Sequence, residues 1–291
     1  MSDSEKPILD CANLSKEYGK VRALDGLSFR IQPGRVVGIL GRNGAGKSTL
    51  IGLIAGLLRP NGGHLRVFGS EPPLAPALRR RIGFAPQRLA LYEALTLVEN
   101  LEIFAASYGL SGTAARDAIW RVLDLVDLTA VASRRVGQCS GGMKRRLNLA
   151  AALLHEADLI LLDEPTAGVD IQSREKILQI VRMVVERGAS VLYATHYIEE
   201  TEMVCDDVLI IDRGRGLAFD DVVSLIRNRG GDSHLSYRTA QGERVSLRTP
   251  EPHRLLAEAL SRGESLRDIE VRPPRMEDAF RSIVDGGGAD V

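Results

Sequence analysis

Five apolar residues, Val36-Val37-Gly38-Ile39-Leu40, run straight into Gly41-Arg42-Asn43-Gly44-Ala45-Gly46-Lys47-Ser48, and a helical pattern continues to Leu58. A short continuous apolar run that ends at a glycine reads as a buried parallel strand, so the segment is strand, tight loop, helix. Such a unit needs a covered parallel sheet around it, which restricts the chain to the α/β class. The loop also carries chemistry. Its G-x-x-x-x-G-K-S spacing lets backbone amides wrap around an anion where Cβ atoms would block the approach, and the following helix adds the positive end of its dipole. Lys47 supplies a point charge for β- and γ-phosphates, and the Ser48 hydroxyl is placed for Mg²⁺. Gly41, Asn43, Gly44, Ala45, Gly46, Lys47, Ser48 and Thr49 are therefore expected to bind a polyphosphate.

The flanking sequence supplies the rest of that sheet. Near-alternation of apolar and polar residues over Ile8 to Leu14 and Gly26 to Ile31 predicts an antiparallel N-terminal β subdomain. Asn61-Gly62-Gly63 reads as a helix stop, and Leu65 to Phe68 and Arg81 to Ala85 as strands. From Leu89 to about Leu154 apolar residues fall at helical spacing, as in Leu97, Leu101, Phe104, Ala105 and Ile119, Val122, Leu123, Val126. This predicts an inserted α-helical subdomain over residues 88–154. Strands return at Leu159 to Leu162, Ser190 to Tyr193 and Val208 to Asp212, with a helix near Ser173 to Glu186, so the central sheet is mainly parallel. Gly230-Gly231-Asp232-Ser233 marks a boundary between a domain of residues 1–229 and a small α/β appendage of residues 230–291. In that appendage Leu235 to Tyr237 and Val245 to Leu247 read as strands, His253 to Leu260 and Met276 to Ile283 as helices, and Gly286-Gly287-Gly288 as a frayed end.

Two further segments fit the glycine loop. Asp163 ends an apolar strand, so its carboxylate emerges at the sheet edge where ligands sit, placed to hold Mg²⁺. Glu164, next in the chain, is the candidate general base for polarising an attacking water. Ser140-Gly141-Gly142 opens another helix, and its amides, hydroxyl and dipole form a second small anion site.

Taken together, these segments resemble the ABC-type ATPases, a branch of the P-loop NTPases, over roughly Ile8 to Leu225. The resemblance implies that Ser140, Gly141 and Gly142 of one subunit contact the γ-phosphate held by the glycine loop of another, so that a head-to-tail homodimer encloses two ATP molecules. It also assigns smaller roles: Tyr18 stacks on adenine, Gln87 reaches the metal and the attacking water, Asp170 links the two sites, and His196 contacts the γ-phosphate. One departure stands out. The family's fingerprint segment usually begins with Leu and ends with Gln, whereas this chain has Cys139 and Met143. Met at that position is similar to what drug-export subunits carry. The closing run Pro273-Pro274-Arg275-Met276-Glu277-Asp278-Ala279-Phe280 resembles that of antibiotic-resistance-type exporter subunits, whose appendage regulates or stabilises the dimer.

Composition narrows the partners. Lysines plus arginines number 38 and so do aspartates plus glutamates, so bulk charge gives no reason to expect nucleic acid. Three scattered cysteines, Cys11, Cys139 and Cys205, fit a reducing compartment. Met1 to Lys6 is polar and acidic, unlike a secretory signal, and no apolar run approaches the ~20 residues that cross a bilayer. The expectation is a cytoplasmic ATPase that works on the inner face of the membrane through a separate ABC-type transmembrane permease. Two alternatives stay open here: a soluble relative acting on nucleic acid or ribosomes, and a regulator without transport.

Overall fold

In the computed structural model, which describes residues 6–72 and 75–286, the N-terminal alternation produces β1 (Leu9–Tyr18) and β2 (Val21–Ile31). They pair antiparallel, and β4 (Gly62–Val67) pairs with the other edge of β1. Gly62 and Gly63 thus open a strand and do not stop a helix. A Cβ on Gly63 would lie 2.2 Å from the Asn13 carbonyl oxygen, so glycine is what lets the two backbones approach. The helix that follows the glycine loop, α1 (Lys47–Ile54), ends four residues before Leu58.

The second sheet sets up the site. Its strand order is β5 (Ile82–Ala85), β6 (Leu159–Asp163), β7 (Ser190–Thr195), β3 (Val36–Leu40), β8 (Asp207–Asp212), β9 (Arg215–Asp221). The pairs from β5 through β8 are parallel. Strands β3, β6 and β7 are buried along their whole length, as their unbroken apolar runs require. Each fully buried Leu, Ile or Val there contributes about 1.5–3 kcal/mol. Register then lines up three strand ends: Leu40 lies opposite Thr195, and Asp163 opposite Ala194. Chain order leaves this sheet at β3, which sits between β7 and β8, and such reversals open the crevice where ligands bind.

Helices fill the insert as expected: α3 (Leu97–Ser107), α4 (Gly112–Leu125) and α5 (Gly141–Leu153), after the short α2 (Pro76–Arg79). The start of α3 is fixed by a capping box in which Thr96 and Glu99 satisfy each other's backbone amides. Helices α6 (Ile171–Glu186) and α7 (Ile198–Val204) complete the sheet's cover. No described helix is long and apolar enough to cross a membrane.

The chain forms two compact units, residues 1–219 and 220–291. Sequence puts the boundary ten residues later, at the Gly230-Gly231 pair. The difference comes from α8 (Val222–Arg229), which packs on α10 (Met276–Gly286) and so groups with the later residues. This second unit adds β10 (Ser233–Arg238), β11 (Arg244–Thr249), α9 (Pro252–Ser261) and β12 (Arg267–Arg272), in a sheet ordered β11-β10-β12 around buried Leu235. Strand β12 escaped sequence reading because four of its six residues are charged. Met1 to Glu5 and Gly287-Gly288 lie outside the described residues.

Candidate active site

The glycine loop joins β3 to α1. A Cβ on Gly41 would lie 2.3 Å from the Ile211 carbonyl oxygen, and Gly46 has φ +109° with the Ala23 carbonyl oxygen 2.5 Å from where its Cβ would be. Only glycine fits either position. Gly46 caps α1 without a side-chain bond, leaving the first amides of the helix directed into the loop. The cleft here, about 460 Å³, is lined by Asn43, Gly44, Gly46, Lys47, Ser48, Thr49, Gln87 and Glu164 together with Val21, Arg22, Ala23 and Arg213. Sequence singled out the first eight of these; the β2 residues and Arg213 reach the cleft only through the fold.

Glu164 is the centre of the site. Its backbone sits in the left-handed region at φ +48°, and its amide is anchored by the Ala194 carbonyl at 2.9 Å. A left-handed non-glycine residue costs about 1–2 kcal/mol, and such strain at a ligand site is held by its surroundings. Three side chains converge on the carboxylate. Gln87 donates its Nε2–H to Oε2 at 2.9 Å, His196 Nδ1 lies 3.1 Å from Oε1, and the Lys47 Nζ is 3.6 Å from that same oxygen. Lys47 is 5% exposed and also donates to the Gly41 and Arg42 carbonyls, at 2.7 and 3.2 Å. Burial lowers its pKa, and the neighbouring Glu164 charge opposes that shift.

Asp163, 5% exposed, has its pKa raised, first by burial; a side-chain hydrogen bond with Ser48 pulls the other way. Its Oδ1 is buried without a hydrogen-bond partner. A carboxylate oxygen left unpaired beside a serine hydroxyl is the hard-oxygen donor set that suits Mg²⁺, so these residues fit the ion that sequence assigned to them.

The remaining expected residues stand apart from this cluster. Ser140 caps α5, accepting from the Met143 amide at 3.3 Å, and the adjacent glycines pack on the start of α6. There Asp170 is the cap, accepting from the Ser173 amide at 2.8 Å, and a Cβ on Gly142 would fall 2.1 Å from the Ser173 Oγ. Ser140, Gly141, Gly142 and Asp170 are therefore one assembly, and none of them lines the cleft around Lys47. Tyr18, 47% exposed, ends β1 opposite the cleft-lining Val21, with the Lys16 ammonium 5.3 Å from its ring.

Two site-supporting residues carried no sequence signal. Arg145 on α5 donates to the Gln87 carbonyl at 2.7 Å and to the Ala167 carbonyl at 3.2 Å, while Asn148 donates to the Pro86 carbonyl at 3.1 Å. They tie the helical insert to the loops that bear Gln87 and Glu164.

The comparisons agree with this geometry. The family profile described as "ABC transporter" matches residues 24–167. The chain is 36% identical over 307 residues to the linearmycin resistance ATP-binding protein LnrL of Bacillus subtilis (strain 168), covering 95% of this chain and 98% of that protein. It is 34% identical over 294 residues to Nod factor export ATP-binding protein I of Rhizobium sp. (strain N33), covering 94% and 96%. Alignments this long take in most of the second unit. Among solved structures, an ATP-binding subunit of an ABC transporter superposes with TM-score 0.69 at 31% identity, covering 77% of this chain and 93% of that one. A dimeric ATP-binding cassette in a post-hydrolysis state with ADP and Pi gives TM-score 0.66 at 28% identity, covering 73% and 98%. The chain is an ATP-binding, ATP-hydrolysing member of the ABC transporter family.

Proposed function

We propose that this chain is the motor subunit of an exporter, working as a head-to-tail homodimer around two Mg-ATP and driving a separate membrane-spanning permease from the cytoplasmic face. The observation that carries the reading is the division of labour in the chain: Lys47, Gln87, His196 and Glu164 converge in one cleft, while Ser140–Gly142 is built elsewhere with Asp170. A second copy is the source of the missing half.

In this reading the loop amides of Gly41 to Thr49 and the Lys47 ammonium hold the β- and γ-phosphates, and Tyr18 covers the adenine. Asp163, Ser48 and Gln87 would hold Mg²⁺, which when bound neutralises charge on the phosphate oxygens. Glu164 accepts a proton from water as its oxygen attacks the γ-phosphorus, and the bond to the β,γ-bridging oxygen breaks to give ADP and Pi. Gln87 and His196 orient that carboxylate, Gln87 reaching the attacking water and His196 the oxygens of the γ-phosphoryl group; the partner copy's Ser140 and Gly142 complete the charge compensation. ATP contacts both copies, so its binding favours the closed dimer and its hydrolysis releases it. The second unit regulates or stabilises that dimer.

Export is supported by the relatives named for linearmycin resistance and Nod factor export, and by alignment with them through the second unit. The test is purification from membranes: detergent extraction is expected to bring down a polytopic membrane protein, whereas recovery with ribosomes or nucleic acid would overturn the proposal.

A further inference from the structure

Beneath the site lies a carboxylate that the mechanism above does not use. Glu200, on α7, is 0% exposed, yet it accepts four side-chain hydrogen bonds. Oε1 takes Thr166 Oγ1–H at 2.7 Å and Arg174 Nε–H at 2.9 Å; Oε2 takes Tyr193 O–H at 2.9 Å and Thr195 Oγ1–H at 2.8 Å. Thr195 Oγ1 in turn accepts the Tyr197 amide at 3.0 Å, so the turn carrying His196 is closed on both sides by one hydroxyl. The other oxygen serves the opposite loop. Thr166 stands two residues after Glu164, and Arg174 lies on the first turn of α6, which Asp170 caps.

We infer that Glu200 is a positioning residue for ATP hydrolysis: it holds the His196 turn and the Thr166–Asp170 loop in fixed register, so that His196 meets Glu164 and the seam-facing loop stays correctly presented. This rests on the roles proposed above for His196 and Glu164. The chemistry of the acceptor explains why a carboxylate is needed. A buried charge is costly unless every lone pair is used, and here four donors from three elements use them. Amide replacement breaks that symmetry. Arg174 Nε can only donate, so a glutamine must keep its carbonyl oxygen on that side and turn its NH₂ toward Tyr193 and Thr195. Thr195 Oγ1 can accept both the amide group and the Tyr197 backbone N–H, but its own O–H, like that of Tyr193, would lose its acceptor, and the His196 turn shifts.

The full chain tests this through steady-state ATPase kinetics well below the melting temperature. Glu200→Gln is expected to lower kcat at least tenfold with KM for ATP within twofold. Thr195→Val, which removes only the bridging hydroxyl, is expected to lower kcat in the same direction, and the double variant to be no slower than Glu200→Gln alone. Glu199→Gln, a neutralisation on the exposed side of Arg174, is expected to leave kcat within twofold. The inference is overturned if His196→Ala loses turnover while Thr195→Val and any folded Glu200→Gln stay within twofold, or if the losses multiply in the double variant. If His196→Ala itself turns over normally, the roles on which the inference rests fall with it.

Discussion

The cleft around Glu164 and the segment around Ser140 are both glycine-bearing, both sit at helix starts, and are built in opposite ways. In the cleft, polar and charged side chains from four elements converge: Lys47 from α1, Gln87 after β5, Glu164 after β6 and His196 after β7. At Ser140 the chain offers backbone amides and one hydroxyl, with Asp170 and Ser173 packed against Gly142. In the proposed function the first arrangement binds and reacts, and the second is presented to a partner copy. On the proposed reading, a second copy reunites them.

The comparison yields graded expectations. The largest concerns Glu164→Gln, which keeps the Gln87 and His196 contacts within reach but removes the proposed base. Turnover is expected to fall at least ~100-fold, consistent with the loss of a general base, while size-exclusion chromatography shows ATP-driven dimers; near-normal phosphate release would remove Glu164 from its role. Next comes Gly142→Ala, whose new methyl meets Ser173 Oγ. It is expected to cut turnover by ~10-fold or more while ATP affinity of the monomer, read by fluorescent-nucleotide titration, holds within about twofold, because the loss is of transition-state contacts only. Equal weakening of monomer binding would show that the segment serves its own cleft.

A stability effect follows from Asp163. Burial holds its carboxyl above the ordinary carboxylate range, so folding favours the protonated form. That contribution is full below the unfolded pKa and is lost as pH rises through the raised folded value, leaving the ionised group as a standing cost at neutral pH. Asp163→Asn is therefore expected to raise the melting temperature of the nucleotide-free protein at neutral pH, with a gain that shrinks toward acid pH, and to abolish Mg²⁺-dependent turnover. A lower melting temperature at neutral pH would show that the Ser48 bond outweighs burial. The smallest effect is at Cys139, whose Sγ makes one long contact, 3.6 Å from the Arg135 carbonyl oxygen. Cys139→Ser is expected to change turnover less than about twofold, as for a surface substitution; a larger loss would give the departure from the family's leucine a functional meaning.

Legibility in the sequence followed the same division. The glycine loop and Asp163-Glu164 could be read because their chemistry is written in consecutive residues at the end of an apolar strand. Arg145, Asn148 and Glu200 could not, since each acts on residues 5 to 62 positions away and none sits in a local pattern. Strand β4 was half-hidden for a different reason: its two leading glycines imitate a stop signal, and only the Asn13 backbone pressed against Gly63 shows why a glycine stands there. Strand β12 was hidden by its charge: only Ile269 and Val271 are apolar, too short an alternation to stand out.

The most direct measurement mixes two inactive variants, Lys47→Ala and Gly142→Asp, in equal amounts and records ATP hydrolysis. In a head-to-tail dimer each mixed pair holds one site with both halves intact, so random pairing is expected to restore about a quarter of the wild-type rate. A mixture as silent as either variant alone, with mixed dimers shown to form, would contradict the account.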